Sequence, residues 1–333
     1  MPETVLVTGA TGTVGRRLVA ALSGQGSQGS RGSQGGGRFT VRALVRDPGR
    51  TGPPEGADET VPGDLTDSAA MAEALHGVST AFVVLAADAG DAFAQAAEKT
   101  ETLRHLVVVS ADAPPDSADR GPLFARHVLG EARMAATGVP VTVLRPAPFA
   151  TQALGWAADL AAGDTVGVVH PDLAVPVIDP RDVAEAAAAA LRGVPPDRSR
   201  VLALSGPQLL DVPERVRILG EVLGRELSVA RVEPDVWVDR VAPFLPEAYA
   251  RGLLDVERHL YERRLPVVPA VRELTGRAPR SFRTWAEDHA AAFGAPGRRP
   301  APQPSPAPQP SHSPQSSPSS PSSPSSPSSK EAS

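Results

Sequence analysis

The chain has no cysteine, and among its 333 residues only two lysines (Lys99, Lys330) and two tyrosines (Tyr249, Tyr261). Without cysteine there is no disulfide and no thiolate metal site, which fits a reducing compartment. Neither tyrosine has a lysine four residues on, so a Tyr-x-x-x-Lys acid–base pair is excluded by count. No apolar run reaches the roughly 18 residues of a membrane span, and the start lacks a charged-then-apolar leader. These absences predict a soluble, cytoplasmic protein without a membrane partner. No His/Asp/Glu spacing suggests a metal, and no G-x-S-x-G motif suggests a hydrolase. The net charge is −5; Arg298, Arg299 and Lys330 against Glu331 leave −7 on residues 1–294. An acidic body is a poor footprint for direct nucleic-acid binding.

Two stretches have almost nothing apolar to bury. From Ala295 onward the chain holds 12 of the 36 prolines together with Ser-Ser-Pro repeats, and 295–333 reads as a disordered tail. Residues 24–37 carry seven of the 30 glycines and read as a flexible insertion in a surface loop, which closure entropy tolerates. About 280 residues remain, enough for one large α/β domain and a smaller part.

What is present starts with Val5-Leu6-Val7, then Thr8-Gly9-Ala10-Thr11-Gly12-Thr13-Val14-Gly15, then the helix-like Arg16–Leu22. A strand, a glycine turn and a helix bring backbone N–H groups and the helix dipole to a pyrophosphate. Gly9 permits the turn, Gly12 a close approach and Gly15 tight helix–strand packing. Strands are then expected at Thr40–Val45, Thr80–Leu85, His105–Ser110 and Pro140–Leu144. Helices are expected at Ser68–Leu75, Asp91–Glu101 and Gly121–Thr137. This alternation predicts a doubly wound parallel sheet with its ligand crevice at the carboxyl ends of the strands. After Arg145-Pro146 come a short strand at Val175–Ile178, a helix at Arg181–Leu191 begun near Asp179 or Asp182, a strand at Val201–Leu204, a helix at Val212–Leu223 and a strand at Leu227–Val232. Pro234 to Phe293 reads as mainly helical. The expected division is a nucleotide domain over 1–145 and a substrate-side lobe over 146–294, with the chain re-entering the sheet around 175–205.

Six motifs occur in order: the glycine turn, Ala43–Pro48, Gly63-Asp64-Leu65-Thr66-Asp67, Val107–Ser110, Val143–Phe149 and Ile178–Ala184. Together they resemble the NmrA-like family of atypical short-chain dehydrogenases over about 4–294. The resemblance implies an α/β Rossmann fold with a small, mainly helical C-terminal lobe and an NAD(P) cofactor. It implies no single reaction, because the family includes quinone and carbonyl reductases as well as redox-sensing regulators.

Gly9, Thr11, Gly12, Thr13, Val14 and Gly15 are the expected phosphate contacts. Arg46 ends the second strand, where an arginine can pair with a ribose 2′-phosphate, so NADP is favoured and NAD stays possible. Asp64 and Leu65 resemble the family's adenine contact; Asp64 alternatively caps a turn or the helix near Ser68. Ala86 and Ala87 are small enough for close cofactor approach. By resemblance Pro146–Phe149 runs along the nicotinamide, with Pro146 a wall and Phe149 a cover. Trp156, Trp237 and Phe244 are candidate pocket or core aromatics. The catalytic candidates are Ser110, whose hydroxyl can bind a carbonyl, and His127 with Glu131 four residues on, which can orient it or raise its pKa. The bland reading of that pair is an ordinary polar i,i+4 contact. Two functions follow. One is an NADP-dependent reductase of a small quinone or activated carbonyl. The other is a non-catalytic NADP(H) sensor acting through a protein partner.

Overall fold

The computed structural model describes residues 3–23, 39–85, 89–113, 121–193 and 197–294. The expected tail, the whole glycine-rich stretch 24–37, and Ala86 and Ala87 lie outside them. The first half runs β1 (Thr4–Val7), α1 (Gly15–Leu22), β2 (Thr40–Val45), α2 (Pro48–Thr51), β3 (Glu59–Pro62), α3 (Ser68–Leu75), β4 (Thr80–Val84), α4 (Ala89–Glu98), β5 (His105–Val109), α5 (Pro122–Ala136) and β6 (Val141–Pro146). A 3-10 helix at Ala150–Trp156 leads into α6 (Ala157–Ala162), β7 (Thr165–Val168), α7 (Pro180–Arg192), β8 (Arg200–Leu204), α8 (Val212–Leu223) and β9 (Ser228–Arg231). Four helices follow: α9 (Pro234–Val241), α10 (Glu247–Arg263), α11 (Ala270–Thr275) and α12 (Phe282–His289).

Seven strands form one parallel sheet in the order β3-β2-β1-β4-β5-β6-β8. The order reverses between β1 and β4, and at such a switch point the ends of the strands leave a crevice. Alternation along the strands sends side chains to two cores. Val5, Val7, Phe82, Val107 and Leu18 lie in one, and Leu6, Val83, Leu106, Val108, Met71 and Phe93 in the other. Pro62, which cannot donate to a ladder, sits in the edge strand β3. That strand offers only Val61 as an apolar side chain of any size, so an apolar-run criterion gives it no bounds.

A third core gathers Trp285, Phe282, Phe293, Val216 and Leu219 beneath the later helices. Beside it β7 and β9 pair as a separate two-stranded parallel sheet. Val175–Ile178 is not a strand: Val175 bridges Leu210 and Ile178 bridges Phe149, one contact each. The segment is apolar because it is buried between the lobe core and the main sheet. Local chemistry fixes the helix starts. Asp179 caps α7 with Pro180 next, and Asp211 and Glu214 make a reciprocal capping box on α8. Among the described residues no helix is long and apolar enough to cross a membrane, and no acidic or histidine cluster is suited to a metal ion.

Candidate functional site

At the end of β1 the backbone turns through Gly9 at φ +59, and Gly12 N–H donates to Gly9 O at 2.8 Å. Gly15 then packs so closely that a Cβ there would overlap the Gly9 carbonyl. Thr11, Gly12 and Thr13 form an exposed crest, while Ala10 and Val14 point inward. The N–H groups of Thr11, Thr13 and Val14 have no acceptor among the described residues. A backbone cradle at the start of α1, closed to any side chain at Gly15, fits a pyrophosphate. Two residues that motif reading passed over hold it in place. Buried Thr8 donates its N–H to Phe82 O, and its hydroxyl accepts from Val84 N at 3.0 Å, joining the ends of β1 and β4. Arg17 donates to the Thr13 carbonyl.

Arg46 is exposed after β2 and has no hydrogen-bond or ion-pair partner among the described residues. Its neighbour Asp47 is occupied, capping α2 by accepting from Arg50 N at 3.1 Å. Asp64 takes the turn-capping role, accepting from Thr66 N and Thr66 Oγ1 at 2.9 and 2.8 Å. Those bonds, the backbone one first, hold its carboxyl below the usual range, helped by Arg46. Asp67, not Asp64, caps α3. Leu65 packs partly buried on the second core.

Further along the same edge, Ser110 follows β5 and is buried, its Oγ 3.3 Å from His127 Nδ1. Arg126 Nε lies 3.2 Å from His127 Nε2. A guanidinium can only donate, so Nε2 accepts, the ring proton sits on Nδ1 and is given to Ser110 Oγ. The Ser110 O–H is then left to point at another acceptor. Glu131 does not touch His127. It makes a two-pronged pair with Arg145 of β6, at 3.0 and 2.6 Å, and that bond raises the Arg145 pKa. Nor is the His127 pKa raised: burial, with Arg126 and Arg145 nearby, pushes it down to about 3. The helical spacing is correct, but a cation on the neighbouring strand outcompetes a neutral imidazole for the carboxylate.

Pro146 and Ala147 are buried, and Pro148 and Phe149 half-buried, where β6 runs out. Phe149 is fixed by its bridge to Ile178, with Ile178 N–H donating to Pro148 O at 2.9 Å. Trp156 and Trp237 are half-buried, whereas Phe244 is 67% exposed and so is not a core aromatic. Asp112 was not singled out in the sequence. It lies two residues past Ser110 and faces α10, with its Oδ2 3.5 Å from buried His259 Nε2 and 3.3 Å from Arg263 Nε. Nothing along the chain pairs residues so far apart.

The glycine cradle, Arg46, Ser110 and the Pro146–Phe149 wall all lie along one edge of one sheet. The sequence profile of the NmrA-like family matches residues 1–266. The chain belongs to the NmrA-like family. A (4-alkanoyl-5-oxo-2,5-dihydrofuran-3-yl)methyl phosphate reductase of Streptomyces griseus is 35% identical over 294 residues, 87% of this chain and 99% of the relative. An NAD(P)H azoreductase of Xenophilus azovorans is 28% identical over 305 residues, again 87% and 99% of the two chains. Among solved structures, an NADPH-dependent quinone oxidoreductase of Escherichia coli complexed with NADPH superposes with TM-score 0.71 at 19% identity, over 86% of this chain and 99% of that one. NmrA, a negative transcriptional regulator, in complex with NADP gives 0.66 at 18% identity, over 86% and 95%. At such identities the structural likeness establishes the Rossmann-like fold of this NmrA-like chain.

Proposed function

We propose that this NmrA-like protein is an NADP(H)-dependent reductase of a small quinone or activated carbonyl. The observation that carries the reading is one sheet edge with an open glycine cradle, an unpaired Arg46 beyond it, and a Ser110 hydroxyl whose own lone pair is already satisfied by His127. The cradle N–H groups of Thr11, Thr13 and Val14 would take the pyrophosphate, and Arg46 a 2′-phosphate. Asp64 and Leu65 would border the adenine, and Pro146 and Phe149 the nicotinamide. The bound nicotinamide supplies a hydride; the chain must hold the acceptor and stabilise charge on its oxygen. Ser110 O–H donates to that oxygen. His127 orients the hydroxyl but has no proton to give at neutral pH, since its ring is uncharged and its one N–H is already committed. Positioning and polarisation therefore supply the rate, and the final proton comes from water. Acceptors whose reduced oxygen is weakly basic, quinones above all, suit such a site. Relatives named as reductases of a furanone phosphate and of azo compounds support this class.

The same uncharged His127 favours a second reading, a non-catalytic NADP(H) sensor working through a protein partner. Titration of the protein with NADPH, NADP+, NADH and NAD+, followed by a quinone and carbonyl screen, separates the two. Turnover with comparable affinity for both oxidation states is the expected result. No turnover, with strong discrimination between NADPH and NADP+, would leave the sensor.

A further inference from the structure

Arg215 is the only arginine in the buried class among the described residues, at 7% exposure. It sits one turn into α8, and the acids nearest to it in sequence are occupied. Asp211 accepts from Glu214 N at 2.8 Å, and Glu214 in turn accepts from Asp211 N at 2.9 Å. The guanidinium gives one hydrogen bond, from Nε to the Asp211 carbonyl at 3.2 Å. Its Cζ lies over the Trp156 ring, 5.6 Å from the centroid. Glu257 of α10 is close enough to feel its charge, yet the two form no ion pair. The terminal nitrogens thus have no partner among the described residues. A largely buried guanidinium without a carboxylate is costly, and one cation–π contact offsets only part of that; its terminal nitrogens are not sealed from solvent.

The fold ties this spot to the crevice. Trp156 closes the 3-10 helix that leaves the carboxyl end of β6, and α8 leaves the carboxyl end of β8, the next strand in the sheet. The helix that brings Glu257 also brings His259 to Asp112, two residues from Ser110.

We propose that Arg215, with Trp156 as its platform, is an oxyanion subsite that receives a phosphate, sulfonate or carboxylate carried by the substrate. This rests on the reductase reading and adds the charge of the substrate to it. The terminal N–H groups of Arg215 match two oxygens of such a group, and the indole covers the adjoining apolar part of the ligand. Glu257 does not fully oppose it: burial pushes its carboxyl up to about 7, so near neutrality part of its negative charge is lost.

The test compares NADPH-driven reduction of naphthoquinone and of its sulfonate, together with binding of phenyl phosphate read by tryptophan fluorescence. In the wild type, phenyl phosphate changes the fluorescence and competes with the sulfonate. Arg215→Met lowers the sulfonate-to-naphthoquinone ratio of kcat/KM about tenfold or more, and Arg215→Lys restores part of it. An unchanged ratio in Arg215→Met, or wild-type protein that does not bind phenyl phosphate at millimolar concentration, overturns the proposal; the second result needs no variant to fold. Phenyl phosphate binding that depends on Arg215 without reduction of either quinone would leave the subsite and remove the reductase. Reduction of both quinones without phenyl phosphate binding would do the reverse.

Discussion

At the β1–α1 turn the backbone makes the candidate site, whereas at the ends of β5 and β6 side chains make it. The first region has glycines, exposed N–H groups and one hydroxyl staple, Thr8. Its shape follows from local sequence and admits no added carbon at Gly15. The second has Ser110, His127, Arg126, Glu131 and Arg145, drawn from two strands and a helix. Its chemistry depends on which partner wins each proton and each charge. A phosphate cradle must be rigid and always in the same state. A place where charge appears on a substrate must instead be tuned.

Substitutions can break that contrast. Gly15→Ala puts a methyl group into the Gly9 carbonyl, so the turn itself must move. We expect a loss of at least about 100-fold in NADPH affinity by fluorescence titration, and a stability loss of about 1–3 kcal/mol in thermal unfolding. Near-normal NADPH binding would mean the turn is not the phosphate site. Ser110→Ala should act on the other region, lowering kcat about 100-fold on a quinone while NADPH still binds. A kcat within twofold of wild type would remove Ser110 from the chemistry. Arg46→Ala should change preference more than strength of binding, with the NADPH-to-NADH affinity ratio falling about tenfold or more. A constant ratio would leave Arg46 a solvated surface residue.

The smallest expected effect is on pH dependence. Burial lowers His105 to about 4 and His127 to about 3, below the ordinary imidazole value. The unfolded chain therefore takes up protons first as pH falls. The stability these rings provide is complete above about 6.5 and shrinks on acidification toward 4 and then 3. Tm should drop across that window, and His127→Gln should flatten part of the slope. A His127→Gln profile parallel to wild type would show that the ring titrates freely.

The same contrast explains what could be read in advance. The bounds expected for β2, α3 and α8 coincide with those found, because apolar periodicity and Asp caps are local signals. The glycine turn was legible for the same reason. Glu131 was not: its spacing to His127 is helical, but its partner Arg145 comes from an adjacent strand 14 residues away. His259 meets Asp112 from 147 residues away in sequence, and Arg215 is conspicuous only once its terminal nitrogens are seen to have no carboxylate partner. Apolar content could not tell strand from buried coil at Val175–Ile178, where single bridges replace a ladder.

Asp182 has a consequence in time. It is buried on α7, and its carboxylate accepts from the backbone N–H of Arg280 at 2.7 Å and from the Arg280 guanidinium, 98 residues later. At ribosomal speeds of about 5–20 residues per second, that interval is roughly 5–20 s of synthesis. Throughout it, α7 has been made but its acid has no cation. Until the stretch before α12 emerges, Asp182 lacks both of the Arg280 hydrogen bonds that hold it in the finished fold. A ribosome stalled in that interval would hold a half-finished protein with an open seam.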